Sequence, residues 1–467
     1  MKHKNPAYMF ICYFFFFLFA GMILYFLYFQ VARSESFINN SHNPLVSLFS
    51  EHVVRGEIRS ADGEILAITE TDDEGNETRK YPQKKTFAHV VGYTTQGTTG
   101  LENALNFTLL RSHESLGQRI MDVISDQKTK GDHVITTLDS KLQKVAYDAL
   151  GSKEGAVVVM DPESGEVLAM VSKPDFNPNR LEKDWDQLNE EGSSALFHRA
   201  TQGRYTPGST FKILTALAYY RKNPTCLSTF TYNCQGQIQV GDYTIHCSGQ
   251  TAHGEQTLEE AFANSCNCAF AWMGLQLKKT QLQDTCEDLL FNQELSFELQ
   301  TSVSSVSLTQ KEDQEMKAAT AIGQGRTLVS PFYMCMLMCA CANDGVLMQP
   351  YLTDEVVNEQ EVRVRKTQPQ EQESLLTSAE CAFLRQLMRY AVTDGTASKL
   401  DVSAYTAYGK TGTAEVATGS DETNAWFVGY AEADGKKLAV AVVVENSGSG
   451  SKYAVPIARK LFDHYFQ

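Results

Sequence analysis

The sequence predicts an α+β protein, an antiparallel sheet covered by helices, preceded by a small strand-rich module and one apolar helix. Three observations carry that expectation. Residues Gly155 to Met160 form an apolar run that reaches Asp161-Pro162-Glu163-Ser164-Gly165 and returns from Glu166 to Ser172, the pattern of a hairpin. Two further runs, Trp426 to Ala431 and Leu438 to Glu445, are separated by Asp434-Gly435, a turn signal. Between these sheet portions lie helical segments, so the strands from both ends of the domain are expected to join one sheet with helices packed over it.

The elements follow in chain order. Residues Ala7 to Phe29 are apolar or aromatic throughout, long enough to span a bilayer. Lys2 and Lys4 precede this stretch and, by the positive-inside rule, place the N-terminus in the cytoplasm and the remainder outside. The run exceeds a signal-peptide core, and Phe29-Gln30-Val31-Ala32-Arg33 is a poor cleavage site, so an uncleaved single-pass anchor is expected. Three regions result: residues 1–30 for the tip and anchor, 31–130 for a polar strand-containing module, and 131–467 for the main domain. Thr71-Asp72-Asp73-Glu74-Gly75-Asn76 marks a turn in the module. The main domain opens with Val134 to Asp139, leading into a helix through Leu142 and Gln143. Glu359 to Glu373, rich in Gln and charge, is expected to be an exposed loop.

A net charge of −15, from 41 Lys and Arg against 56 Asp and Glu, argues against nucleic acid as a partner. Eleven cysteines are many for an exported chain. Cys335, Cys339 and Cys341 lie in a Met-rich apolar run and read as helix core. The same role is expected for Cys266 and Cys268. Cys234 and Cys247 flank a hairpin, Gln235 to His246, and are the pair expected to be bridged. There is no C-x-x-C, and His246 and His253 lack evident partners, so no metal site is expected.

Three short motifs carry the chemistry: Ser209-Thr210-Phe211-Lys212, Ser265-Cys266-Asn267 and Lys410-Thr411-Gly412-Thr413. Their order and wide spacing are those of a serine acyltransferase that attacks an amide. Pro207-Gly208 breaks the chain, and Ser209 to Tyr220 then reads as an apolar helix, which puts Ser209 near a helix N-terminus. Lys212, three residues on, shares a helix face with the serine. It can take the hydroxyl proton if burial among Phe211, Ile213 and Leu214 depresses its pKa. Ser265 and Asn267 fall between two predicted helices, Thr257 to Ala263 and Ala269 to Leu277, where a hydroxyl can relay a proton and an amide can hold a substrate backbone. Lys410-Thr411-Gly412-Thr413 reads as a strand offering a cation and two hydroxyls to a carboxylate, with Gly412 permitting a close backbone approach. Its edge can pair with an extended peptide, and the N–H groups of Ser209 and Thr413 are candidates for an oxyanion hole.

The chain resembles a monofunctional class B penicillin-binding protein, of the short penicillin-binding protein A type. The resemblance covers Arg204 to Lys212, Ala321-Ile322-Gly323-Gln324-Gly325 with Ser330-Pro331, Asp394-Gly395-Thr396-Ala397, and Ala425 to Tyr430. Upstream it covers Arg55-Gly56-Glu57-Ile58, Asp62 to Ala67 and Gly100-Leu101-Glu102. Ser60 departs from the family's pattern, where an Asp is usual, which bears on a hydrogen bond in the pedestal and not on catalysis. The resemblance implies the penicillin-binding fold, with the 31–130 module as its dimerisation or pedestal region. It implies a peptidoglycan D,D-transpeptidase inhibited by β-lactams, with D-Ala-D-Ala stem peptides as substrate and no cofactor. In that reading Ser209 is the nucleophile, Lys212 its base, Ser265 passes a proton to the leaving D-alanine with Lys410 tuning the local field, and Asn267 and Thr413 orient the donor. Thr411, Gly412 and Thr413 would receive the terminal carboxylate. No glycosyltransferase segment is recognisable, so a multi-pass glycan polymerase is the implied partner. A D,D-carboxypeptidase, a β-lactamase and a non-catalytic β-lactam sensor or scaffold stand as alternatives.

Overall fold

The computed structural model describes residues 6–32, 52–115, 117–118, 121, 124–125, 128–308, 313–415 and 422–467. At its centre is a five-stranded antiparallel sheet in the spatial order Thr406–Glu415, Thr423–Ala433, Lys436–Val444, Gly155–Met160 and Val167–Lys173. The first and last parts of the domain meet in it, with Val444 opposite Gly155 and Ala439 opposite Met160. The three inner strands are covered on both faces, and for that reason read as near-continuous apolar runs instead of alternating ones. Strand periodicity sends their side chains to opposite layers. Val157, Val159, Val440 and Val442 pack against helices Ser140–Leu150 and Val455–Tyr465 through Leu142, Ala146, Leu461 and Phe462. Val158, Ala441 and Val443 face the larger helical body. Each such side chain, fully buried, contributes about 1.5–3 kcal/mol of transfer free energy.

Local signals fix the joins. Ala433 pairs with Lys436 across Asp434 and Gly435, whose φ angles of 51° and 78° are those of a type I′ turn. Ser330 accepts from the Tyr333 N–H at 3.2 Å and Pro331 opens the helix Pro331–Ala342, in which every residue is buried. Cys335, Cys339 and Cys341 are therefore core residues, as expected.

A second, six-stranded sheet runs Arg363–Lys366, Thr353–Val357, His133–Thr136, Ile58–Arg59, Ile65–Thr71 and Glu77–Lys80. It combines strands from before residue 131 with strands from far along the main domain. Arg55 and Arg79 clamp the fully buried Glu102 carboxylate from two sides at 2.6 and 2.7 Å. This ion triad joins the Arg55-Gly56 and Gly100-Leu101-Glu102 elements. Ser60 is buried and makes its own turn: its hydroxyl donates to Asp62 at 2.7 Å and accepts from the Glu64 N–H at 2.9 Å. Asp62 in turn accepts from the Ser140 hydroxyl at 2.6 Å.

The N-terminal helix spans Pro6–Ala32, 27 residues or roughly 40 Å, and the side chains from Tyr8 to Tyr28 are almost all exposed. Its segment Tyr8–Tyr28 is long and apolar enough to cross a membrane.

Two expectations are corrected. Glu359 to Glu373 is not one loop, since Arg363–Lys366 pairs with Thr353–Val357 and Glu371–Ser374 pairs with Val346–Met348. Both strands are solvent-facing, so nothing apolar alternates in them to announce a strand. Ser209 to Tyr220 is not a uniform α-helix either: a 3₁₀ turn, Gly208–Phe211, precedes the helix Lys212–Lys222.

Candidate active site

The serine turn is held by glycines. Gly208, at φ 53°, donates its N–H to Gly323 O at 2.9 Å. A Cβ on Gly208 would lie 2.6 Å from Thr413 O, so the turn rests directly on the strand Thr406–Glu415. Gly412 is equally constrained, with a Cβ there 2.9 Å from Thr210 Cγ2 and 3.0 Å from Pro207 O. The first and third motifs are thus fitted backbone to backbone. Ser209, half-buried, and Thr413, exposed, stand where this junction opens to solvent. The strand Thr406–Glu415 is an edge strand of the sheet, as the sequence predicts for a peptide-pairing element.

The second motif arrives from the helical side. Thr257 and Glu260 form a capping box at the start of helix Leu258–Ala263. That helix ends as Cys266 N–H returns to Ala261 O at 2.9 Å, with Ser265 at φ 53°, a left-handed conformation costly for a residue with a Cβ. Cys266 caps the next helix, Asn267–Gln276. This tight exit turns Ser265 and Asn267 toward Lys212.

Lys212 is fully buried, and its Nζ donates to Ser265 O at 2.7 Å, Ser265 Oγ at 3.2 Å and Asn267 Oδ1 at 2.7 Å. The Phe270 ring lies 5.5 Å away. Burial lowers its pKa from the ordinary 10.5 to about 8, the range a general base at neutral pH requires. Asn267 is fixed at its other end, donating from Nδ2 to His246 O at 2.8 Å. Lys410 is also fully buried, over the Phe262 ring at 5.5 Å, with its Nζ 3.3 Å from Thr411 O. Burial, and then the charge of Lys212, push its pKa well below the ordinary value. The two buried lysines each face a ring from a helix flanking the second motif, and lie close enough for the charge of Lys212 to act on Lys410.

The structure therefore brings Ser209, Lys212, Ser265, Asn267, Lys410, Gly412 and Thr413 to one cleft. Thr411 is buried, and its hydroxyl shares a hydrogen bond of 2.5 Å with Thr396. Thr396 was given no role from the sequence. It belongs to Asp394-Gly395-Thr396-Ala397, and only the sheet places that segment beside Thr411. The expected Cys234–Cys247 bridge is corrected: both are thiols, with sulfurs 3.7 Å apart. Nor does His253 lack a partner, since its Nδ1 is 3.4 Å from Cys234 Sγ.

A buried lysine beside a serine turn and an edge strand is the arrangement of one class: serine acyltransferases working through a covalent acyl-enzyme. Comparison with known proteins narrows it. Residues 155–463 match the penicillin-binding protein transpeptidase domain, and residues 55–134 the penicillin-binding protein A dimerisation domain. The chain belongs to the penicillin-binding protein transpeptidase family. It is 31% identical to the peptidoglycan D,D-transpeptidase PbpA of Mycolicibacterium smegmatis, over 92% of each chain. Among solved structures, the imipenem acyl-enzyme complex of penicillin-binding protein A from M. tuberculosis is 28% identical, with a TM-score of 0.80 over 88% of this chain and 99% of that one. A D,D-transpeptidase domain from Eggerthella lenta is 30% identical, with a TM-score of 0.80 over 89% and 98%.

Proposed function

We propose that the protein is a peptidoglycan D,D-transpeptidase, acylated at Ser209 by the stem peptide and by β-lactams. The observation that carries this reading is the hydrogen bonding of buried Lys212 to both polar members of the second motif, beside the Ser209 turn.

In the proposed sequence, Lys212 in its neutral form takes the Ser209 hydroxyl proton as Oγ attacks the carbonyl of the penultimate D-alanine. The oxyanion is met by the N–H groups of Ser209 and Thr413. The proton passes from Lys212 through Ser265 Oγ to the leaving nitrogen, the C–N bond breaks, and D-alanine departs. An amine from a neighbouring stem peptide attacks the ester carbonyl and loses a proton to the same relay; the C–N bond of the new amide forms, the C–Oγ bond breaks, and Lys212 returns the proton to Ser209 Oγ. Asn267 and Thr413 orient the donor, Thr411 and Thr413 receive its carboxylate, and Lys410 tunes the field around the relay. The apolar helix would anchor the chain with its N-terminus in the cytoplasm and the transpeptidase domain, residues 131–467, outside. Residues 31–130 would form the pedestal, where a multi-pass glycan polymerase supplying the strands to be crosslinked would dock.

The test is fluorescent-penicillin labelling of the full-length protein in detergent, with intact mass followed over hours. A stable adduct absent from Ser209→Ala and Lys212→Ala is expected. Rapid drug turnover would point instead to a β-lactamase, release of D-alanine without crosslinks to a carboxypeptidase, and no adduct to a scaffold.

A further inference from the structure

Four metal-donor side chains converge behind the second motif. Cys234 ends the strand Tyr232–Cys234, Cys247 follows the hairpin strand Tyr243–His246, and His253 precedes the strand Gly254–Gln256. Cys266 is the middle residue of the second motif and the cap of helix Asn267–Gln276. Cys234 pairs with Gly254 in the sheet, which brings His253 alongside it. The four donor atoms all lie within 4.8 Å of one another, the three cysteines buried and His253 partly so.

The spacing distinguishes coordination from a covalent bridge. Cys234 Sγ and Cys247 Sγ are 3.7 Å apart, as are Cys247 Sγ and Cys266 Sγ, and Cys234 Sγ is 3.4 Å from His253 Nδ1. A disulfide needs about 2.05 Å. Tetrahedral zinc, with Zn–S near 2.3 Å, places neighbouring sulfurs about 3.8 Å apart. Three thiols and an imidazole are the donor set that selects this ion.

We propose that Cys234, Cys247, His253 and Cys266 bind one zinc ion in a closed structural site that clamps the hairpin to the second motif. On binding, three thiols release three protons to solvent and His253 coordinates as neutral imidazole. No redox step occurs and no coordination position is left for water or substrate. The ion would act as a positioning element. Cys266 lies between Ser265 and Asn267, and the same hairpin already accepts the Asn267 amide through His246 O. Those two residues hold Lys212. The site stands on donor geometry alone; its effect on acylation rests on the Ser209 reading, so the two are read separately.

The experiment is zinc determination by elemental mass spectrometry on the full-length protein in detergent, purified without chelator. One zinc per chain is expected, lost in Cys234→Ser and in His253→Ala. It should be retained in Cys268→Ser, whose sulfur lies 3.4 Å from Cys247 Sγ but outside the four donors. Cobalt exchanged into the wild-type chain should give thiolate charge-transfer and tetrahedral d–d bands, a readout that does not depend on a variant folding. Stripping zinc with a chelator should slow penicillin acylation by about tenfold or more, with recovery on adding zinc back. A Cys234–Cys247 disulfide in the non-reduced intact mass, or zinc undiminished in both ligand variants, would overturn the site. Unchanged acylation in the stripped chain would overturn its positioning role.

Discussion

Gly208 and Gly323 meet backbone to backbone: the Gly208 N–H donates to Gly323 O at 2.9 Å, and a Cβ on Gly323 would stand 2.0 Å from Gly208 O. Gly323, at φ 76°, therefore acts as a template for the turn that presents Ser209. No side chain is involved, so a methyl group tests the relationship.

Gly323→Ala forces the turn away from Gly323, since the new Cβ meets Gly208 O and Phe211 Cβ. Backbone strain and overpacking together should cost about 2–4 kcal/mol of stability. Penicillin acylation should fall by at least about tenfold, because the turn that presents Ser209 shifts. Urea unfolding and labelling rates measure the two effects. Wild-type labelling in Gly323→Ala would show that the turn is set elsewhere.

The pH dependence of acylation follows from Lys212. The neutral amine is the base, and burial brings its pKa to about 8. The acylation rate should rise with pH and level off above about 8, losing about tenfold per unit below pH 7. Stopped-flow labelling across pH 6–9 gives the profile. A flat profile would remove Lys212 from the role of base.

Ser265 separates backbone strain from chemistry. At φ 53°, glycine relieves the left-handed penalty and alanine does not. Both substitutions remove the hydroxyl that sits 3.2 Å from Lys212 Nζ, so both should slow acylation. Ser265→Gly should be as stable as wild type or better, and Ser265→Ala less stable than Ser265→Gly by about 1 kcal/mol. Thermal unfolding of the pair decides this, and equal stabilities would mean the strain is absorbed elsewhere.

Burial of Lys410 carries a cost in stability. Its pKa is held well below the ordinary 10.5, because burial and the Lys212 charge disfavour its cationic form. Between the folded and unfolded values the unfolded chain binds more protons, so this penalty is greatest at low pH and vanishes as pH rises toward 10.5. Lys410→Met should abolish acylation while stabilising the fold by about 1–2 kcal/mol near neutral pH. The gain should shrink in alkaline buffer. A destabilised Lys410→Met at pH 7 would contradict the account.

What the sequence determined by itself was whatever depends on neighbours in the chain. The apolar runs Gly155–Met160 and Leu438–Glu445, the Asp434-Gly435 turn and the anchor-length helix are local in origin and were legible. So were the three motifs, since their residue types already state their chemistry. Strands with no buried face, Arg363–Lys366 and Glu371–Ser374, left no apolar signature and were missed. The tertiary structure alone decided how distant pieces combine: one six-stranded sheet built from residues more than two hundred positions apart, Thr396 placed on Thr411, and Gly323 under Gly208. It also gathered Cys234, Cys247, His253 and Cys266, whose spacing along the chain matches no compact metal motif. The physical reason is the same in each case. Periodicity and turn chemistry act over a few residues, whereas burial, which lowers the Lys212 pKa and turns scattered thiols into a cluster, belongs to the packed chain as a whole.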